Sequence, residues 1–483
     1  MESPILRTII QAACLAAHSI QQNILTLLED EDIVLDGRKR PRRQAPRPDY
    51  KNSTWGKMLV DDLVQLRIPG STTTILFRRR FRLPHPLFEM LMVDVRIWQS
   101  NVASTDITGR DSVPLELKVL GVLRILGRGS CFDGIKELTF ISETTIHVFF
   151  HEFCAWFRKE MYPRMVIKPT TCAEIEKAMG PYLLLGLSGG VGSMDVVHIP
   201  WGMCPWHLKS LHTGKEGFPT IAYNCTGEHD GSFNFCTSGS YGACNDKTIV
   251  RFDSYIESLR TEKLYTEMKY SLLVSETGET EMASGVYVIT DGGYHHWVST
   301  MSATRHNPNP DFVAWRKQME SVRKDIECMF GVLKGRFRIL KTPCLFHSKE
   351  HIDNMFLTCV GLHNMLHAWD RRDEWECGVK WGEKDGEFDD AGMQWGMPKR
   401  KQADGSFVTV QEGDDFSRCG RLSFGDNQVP VILQGNADMG EMDFNRLIEM
   451  QTETDQKFRA LQQKLVKNYA LRLKQGTTAW LRS

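Results

Sequence analysis

Between Leu115 and Phe157 apolar residues recur at helical spacing: Val119, Leu120, Leu123 and Leu126 share one face before Gly127 and Gly129 break the pattern. Ser130 and Asp133 stand at capping-box spacing ahead of a short second helix. Ser142 is placed to cap a third, which carries Ile146, Phe149, Phe150, Phe153 and Phe157 at a period of about 3.6. Three helices, the last two joined by a tight turn near Phe140 and Ile141, predict a helix-turn-helix-like region within residues 51–170. The third helix presents Glu143, Thr144, His147, His151 and Glu152, a poor surface for phosphates. It therefore reads either as a base-reading helix or as part of a bundle that supports the next domain.

From Leu183 to Asp291 the texture changes. Short apolar or alternating runs at Met194–Ile199, Pro219–Asn224, Ser232–Thr237 and Val286–Thr290 are punctuated by Gly, Asn and Asp, as strands and turns are. A helical stretch over Asp246–Leu259 precedes the fourth run, and a long helix is predicted from Asp311 to about Lys334. This order indicates an α/β domain with a mixed sheet, here bounded at 183–368. Beyond Trp369 the chain turns polar and glycine-rich, with Glu383, Asp385, Glu387, Asp389 and Asp390 before Lys399-Arg400-Lys401. Residues 369–483 read as a loose tail ending in an amphipathic helix over Asp443–Lys474, interrupted by the polar Gln451 and Asn468, so that any coiled coil it formed would be weak.

At 483 residues the chain exceeds what one hydrophobic core usually fills, and 41% hydrophobic with 25% charged residues is the balance of a soluble globular protein. The apolar opening Ile5–Leu28 is interrupted by Arg7, Gln11, His18, Gln21, Gln22 and Asn23, which suits an amphipathic helix rather than a signal peptide or membrane span. The thirteen cysteines are scattered without CxxC pairs, as thiols of a reducing compartment are. A formal net charge of −1 leaves any nucleic-acid contact to local clusters. One such cluster, Arg38, Lys39, Arg40, Arg42 and Arg43, lies in an extended proline-containing arm within residues 1–50. It reads as a solvated linker, a nuclear-import signal or a DNA-grasping arm.

Three carboxylates stand where a strand-based metal site would place them. Asp195 lies inside the apolar run Ser193–Ile199, where an ionised side chain is costly unless paired or metal-bound. Asp291 ends the fourth strand beside Gly292 and Gly293, which permit close approach. Glu327 adjoins the apolar stripe Met319, Val322, Ile326, Phe330 and Leu333, away from the solvated face marked by Lys317, Arg323 and Lys324. Singly each has a structural reading as cap, turn residue or rim ion pair. Together they supply three hard oxygen ligands of the kind that suit Mg²⁺ or Mn²⁺.

Several segments occur in an order that resembles the Harbinger-type transposases, and within them the plant-transposon branch. They are Gly192-Ser193-Met194-Asp195 followed by Cys204-Pro205, Asn245-Asp246, Thr290–Tyr294, Arg323–Glu327 with Phe330–Lys334, and Leu362-His363-Asn364. The likeness covers residues 185–368, more loosely the helical region before them. It implies a ribonuclease H-like domain with a DDE triad of Asp195, Asp291 and Glu327. That triad would bind divalent metal, cut transposon ends and join them to target DNA in the nucleus, with the protein assembled as a homo-oligomer. The spacing from Asp291 to Glu327 is similar to that common among DDE enzymes. The resemblance also suggests a separate Myb-like DNA-binding partner. An alternative of another class is a host protein that retains the fold as a DNA-binding scaffold without cutting; a nuclease that stops at hydrolysis is a third.

Around the triad, Lys209, Lys215, Lys334, Arg336 and Arg338 are candidates for phosphate neutralisation or else ordinary surface cations. Tyr294 and Trp297 read as base-stacking aromatics or as core. His295 and His296 read as neighbours that tune the second metal ligand or as solvated turn residues. Asn245 and Asp246 read as a helix N-cap, with Asp246 a further metal-contact candidate.

Overall fold

The computed structural model describes residues 48–370, apart from 69, 103–104, 106–110 and 304–306, together with 399–401, 407–409 and 444–478. The basic arm, with Arg38, Lys39, Arg40, Arg42 and Arg43, and the expected helix at Ile5–Leu28 lie outside the described residues, as does most of the acidic segment after Trp369. The described residues from Tyr50 onward fall in one compact unit.

Apart from one-turn segments, the helices that open that unit are α1 (Thr54–Asp61), α2 (Thr72–Phe81), α3 (His85–Trp98), α4 (Leu115–Arg128), α5 (Phe132–Thr139) and α6 (Glu143–Trp156). The predicted three-helix pattern is present in α4, α5 and α6. Gly129 ends α4 in the left-handed region (φ 65°), and Ser142 accepts from the Thr145 N–H to start α6. Ser130 does not cap α5: Cys131 holds the cap position, with no side-chain hydrogen bond. The inner face of α6 buries Ile146, Phe149, Phe150 and Phe153.

Helix α7 (Cys172–Leu184), started by a Thr171/Glu174 capping box, leads into the sheet. Its strands are β1 (Gly190–Pro200), β2 (Thr220–Gly227), β3 (Phe233–Cys236), β4 (Ser240–Tyr241), β7 (Tyr287–Ile289) and β8 (Thr300–Met301), in the order β3-β2-β1-β7-β8, with β4 also on β2. β1, β2 and β3 pair antiparallel, whereas β7 runs parallel to both β1 and β8. A separate hairpin joins β5 (Lys269–Leu273) to β6 (Thr280–Ser284). The expected helix over Asp246–Leu259 is divided: a turn at Asp246–Ile249, then α8 (Ser254–Thr261), restarted by Asp253, whose carboxylate accepts from the Tyr255 and Ile256 N–H groups.

Two hydrophobic cores lie against the sheet. One joins Val197, Ile199, Ile221 and Tyr223 to α4, α6 and α10 (Lys349–Trp369); the other joins Val191, Met194, Tyr287 and Met301 to α7 and α8. The opening helices thus share a core with the sheet. The long helix α9 (Pro310–Arg336) starts with the Asn309 cap and Pro310 in its first turn, and serves both cores. Phe312, Trp315, Met319 and Val322 enter the second; Ile326, Met329, Phe330 and Leu333 enter the first.

The terminal helix α11 (Phe444–Lys474) is not an isolated tail. It packs on α9 and β5, burying Phe458, Leu465 and Tyr469 in the second core. Asn468, read from sequence as a polar interruption, is fully buried and accepts from the Leu273 N–H at 2.8 Å. Between α10 and α11, Lys399–Lys401 pairs antiparallel with Phe407–Thr409.

Candidate active site

β1 and β7 bring two of the three sequence-nominated acids together. Their last paired positions are Ser193 and Ile289, so Asp195 and Asp291 each stand two residues further along adjacent parallel strands, about 5 Å apart at the backbone. The Val196 N–H donates to Asp195 Oδ1 at 2.8 Å, and the Gly293 N–H donates to Asp291 Oδ1 at 2.5 Å. Asp246, at the first position of its helical turn, joins them. A β-carbon placed on Gly293 would stand 2.8 Å from Asp291 Oδ1 and 3.6 Å from Asp246 Oδ2. Of the two readings the sequence offered for Asp246, cap or further metal contact, Asn245 supplies the cap itself and Asp246 lies beside the acids.

Burial pushes the Asp195 carboxyl up to about 6; the Val196 N–H and Arg323 oppose the rise, and Asp291 and Asp246 reinforce it. Asp246 is raised as well, chiefly by burial, with Asp291 adding and Lys215 opposing. Beneath the acids is a buried polar relay in which the Tyr294 hydroxyl donates to Asn224 Oδ1 (3.2 Å) and Asn224 Nδ2 donates to Asp253 Oδ2 (2.6 Å). Tyr294, 1% exposed, therefore supports the acid floor and is not a stacking surface.

Glu327 approaches from α9, which lies close to β2 because Gly227 has no side chain: a β-carbon there would collide with the Met329 Cε and Sδ atoms. Arg323, one turn before Glu327, belongs to the site and not to the solvated face. Its Nη1 lies 2.7 Å from Glu327 Oε1 and 3.6 Å from Asp195 Oδ2, and its Nε lies 3.2 Å from Glu320 Oε2. One guanidinium nitrogen thus holds Asp195 and Glu327 on either side of itself. Among the described residues no group of three or more His, Cys, Asp or Glu side chains is arranged as a metal-binding set.

Residues 166–374 match the family model for plant transposon proteins. No curated protein and no solved structure matches the chain. The match supports a transposon-derived family and a transposase-like function, which implies contact with DNA. The transposon-protein region contains Asp195, Asp246, Asp291, Arg323 and Glu327.

The nominated cations in and near this region differ in placement. Lys209 is exposed, its ammonium 5.3 Å from the ring centroid of Trp206, and Lys215 is exposed close enough to Asp246 to oppose its rise. Lys334 is half-buried and donates to the His198 carbonyl. Arg336 is enclosed, 1% exposed, with Nη1 on the His363 carbonyl at 3.2 Å, so it is a tie to α10 and no groove contact. Arg338 is half-buried in the turn that follows α9. Trp297 lies under the Arg260 guanidinium at 3.9 Å and stacks with His295, so neither ring is simply solvated. His296 stacks on Phe458 of α11. Among the described residues no helix is long and apolar enough to cross a membrane.

Proposed function

We propose that the chain is a Harbinger-type DDE transposase on a ribonuclease H-like fold, acting in the nucleus on transposon ends as a homo-oligomer with a Myb-like DNA-binding partner. The observation that carries this reading is the side-by-side placement of Asp195 and Asp291 on adjacent parallel strands, with Glu327 held to the same point through Arg323. Three antiparallel strands followed by two parallel ones, with the acids on the central pair, support the fold assignment.

The donor set fits a hard divalent cation. Asp195, Asp291 and Asp246 offer carboxylate oxygens from a half-buried floor, where Asp291 and Asp246 both raise Asp195 and a cation would relieve that repulsion, and the exposed Glu327 offers a further carboxylate beside them through Arg323. They would hold Mg²⁺ or Mn²⁺, which when bound activates a water or 3′-hydroxyl for in-line attack on a phosphodiester and stabilises the leaving oxygen. The backbone N–H groups of Val196 and Gly293 fix the orientation of two of the carboxylates. Asp195 binds a cation as the carboxylate, and burial raises its carboxyl above the usual aspartate range, so cation binding should weaken as pH falls.

The test is cleavage of a labelled duplex carrying the element ends, with Mg²⁺ and nuclear extract as a source of partner protein. Wild type should cut, while Asp195→Asn and Glu327→Gln should each lose at least about a hundredfold in rate. Full cleavage by Glu327→Gln would remove that residue from the triad. The second reading, a DNA-binding scaffold that does not cut, is favoured by the Arg323 pairing that already neutralises Asp195 and Glu327. Binding without cutting by wild type would decide for it.

A further inference from the structure

Arg82 is an unusual residue to find where it is. It follows α2 with φ 68°, a left-handed conformation that costs a residue with a side chain about 1–2 kcal/mol and that glycine normally supplies. Its side chain crosses α4 at Gly127, where a β-carbon would stand 2.6 Å from Arg82 Cγ, and its Nε donates to the Gly127 carbonyl at 3.3 Å. The guanidinium is buried, the residue being 2% exposed, and neither Nη1 nor Nη2 has a hydrogen-bond partner.

Its surroundings are cationic. Burial, together with the nearby Arg128, Arg338, Arg124 and Arg79, pushes it down to about 10. Arg124 donates to the Arg80 carbonyl at 3.4 Å and Arg128 to the Arg79 carbonyl at 3.2 Å, while Arg128 Nε has no partner. Neither Arg82, Arg124 nor Arg128 forms an ion pair with a carboxylate among the described residues. The turn carrying Arg338 closes the cluster: Gly129 abuts the Arg338 and Ile339 backbone and Thr342. Cations at the ends of α2 and α4 do complement the two helix dipoles, a contribution of about 0.3–1 kcal/mol each. That accounts for the backbone carbonyl contacts. It does not account for a strained backbone that delivers a buried guanidinium whose outer nitrogens bond to nothing, since an unpartnered buried charge is among the costliest features a fold can hold.

We propose that Arg82, Arg124, Arg128 and Arg338 form a phosphate-binding site in which half-buried Arg124, Arg128 and Arg338 meet the anion and buried Arg82 forms the floor. Guanidinium donors match phosphate oxygens in pairs, and the group that completes the site brings the negative charge and acceptors the cluster lacks. The phosphate is assigned to the DNA backbone, an assignment that rests on the transposase-like reading; a free polyphosphate offers the same chemistry. Arg82, Arg124 and Arg128 stand on helices outside residues 166–374, whereas Arg338, a phosphate candidate from the sequence, lies within them in the turn that follows α9.

Binding of the full chain to two unrelated labelled duplexes is measured in EDTA across a salt series, so no strand is cut and the result does not depend on metal at Asp195, Asp291 and Glu327. Arg124→Gln and Arg128→Gln, both on partly exposed positions, should weaken binding equally on both sequences. Each should flatten the log K against log salt slope by about 0.9 for every phosphate the variant no longer neutralises. In parallel, inorganic pyrophosphate at constant ionic strength should raise the Tm of wild type and not of Arg82→Gly, a residue suited to that backbone. A flattened slope assigns the site to DNA. A pyrophosphate shift confined to wild type, with slopes unchanged, keeps the phosphate site and gives it a free polyphosphate. Unchanged slopes and equal shifts in all variants, each folded by circular dichroism, overturn it.

Discussion

At the scale of single residues, the acid floor trades stability for chemistry. Asp195 has its folded-state value near 6, above the 3.8 of an unperturbed aspartate. Its stabilising contribution is therefore complete below about pH 4 and is lost as pH rises through about 6. Denaturant unfolding in EDTA at pH 8 should find Asp195→Asn more stable than wild type by on the order of 1–3 kcal/mol, with the gap narrowing as pH falls toward 4. A stability difference that did not change between these pH values would show that the carboxyl is not destabilised by its setting. Arg323 works against this cost, since it pairs with Asp195 and Glu327 and must release them to any cation that binds. Arg323→Gln should accordingly tighten Mn²⁺ binding at pH 8 by about two- to fivefold, the equivalent of a partly exposed ion pair, as read by calorimetry. Weaker binding would mean that Arg323 organises the acids for the ion. Spacing along a helix marked Arg323 as solvated because it shares a side with Lys317 and Lys324; only the neighbouring strand reveals what it reaches.

At the scale of elements, the helices announced themselves through local periodicity. The bounds of α9 and α11 were within two or three residues of expectation, as were the turn at Phe140 and the cap at Ser142. Strands β1, β2, β3 and β7 were legible as apolar runs, and so were the acids that β1 and β7 carry. The β5–β6 hairpin was not, because its exposed face carries Lys269, Ser271, Thr280 and Ser284, a composition that resembles a loop. Gly227 was equally silent, since its role depends on a helix about a hundred residues later. Gly227→Ala would place a β-carbon against the Cε and Sδ atoms of Met329, the far end of a flexible side chain that can turn aside. The expected result is a stability loss of about 1 kcal/mol with cleavage within about threefold of wild type, measured in the same duplex assay alongside thermal unfolding. A tenfold or greater loss of cleavage would show that Met329 does not yield and that the helix carrying Glu327 is displaced instead.

At the scale of the whole molecule, the sheet is held between two cores, and α9 passes from one to the other at Arg323 and Glu327. The acids are therefore set by packing on both sides, which separate segments of sequence do not show. The long polar stretch after Trp369 likewise suggested a tail, yet α11 beyond it fills the second core. A chain ending before position 444 loses the burial of Phe458, Leu465 and Tyr469, each worth about 1.5–3 kcal/mol, and should unfold or aggregate at temperatures where the full chain is folded. Soluble, cooperatively melting protein from that truncation would show the helix to be dispensable.

The bond between Asn468 and Leu273 spans 195 positions of chain, and the contact of Asn468 with Ser188 spans 280. Closing loops of that length is entropically slow, and during the wait the edge of β5 keeps its Leu273 N–H open to any passing strand. Contacts of such sequence separation are expected to form among the later steps of assembly. In a living cell the interval between synthesis of the hairpin and arrival of the helix that seals it is the time when the chain is most exposed to aggregation and to chaperones.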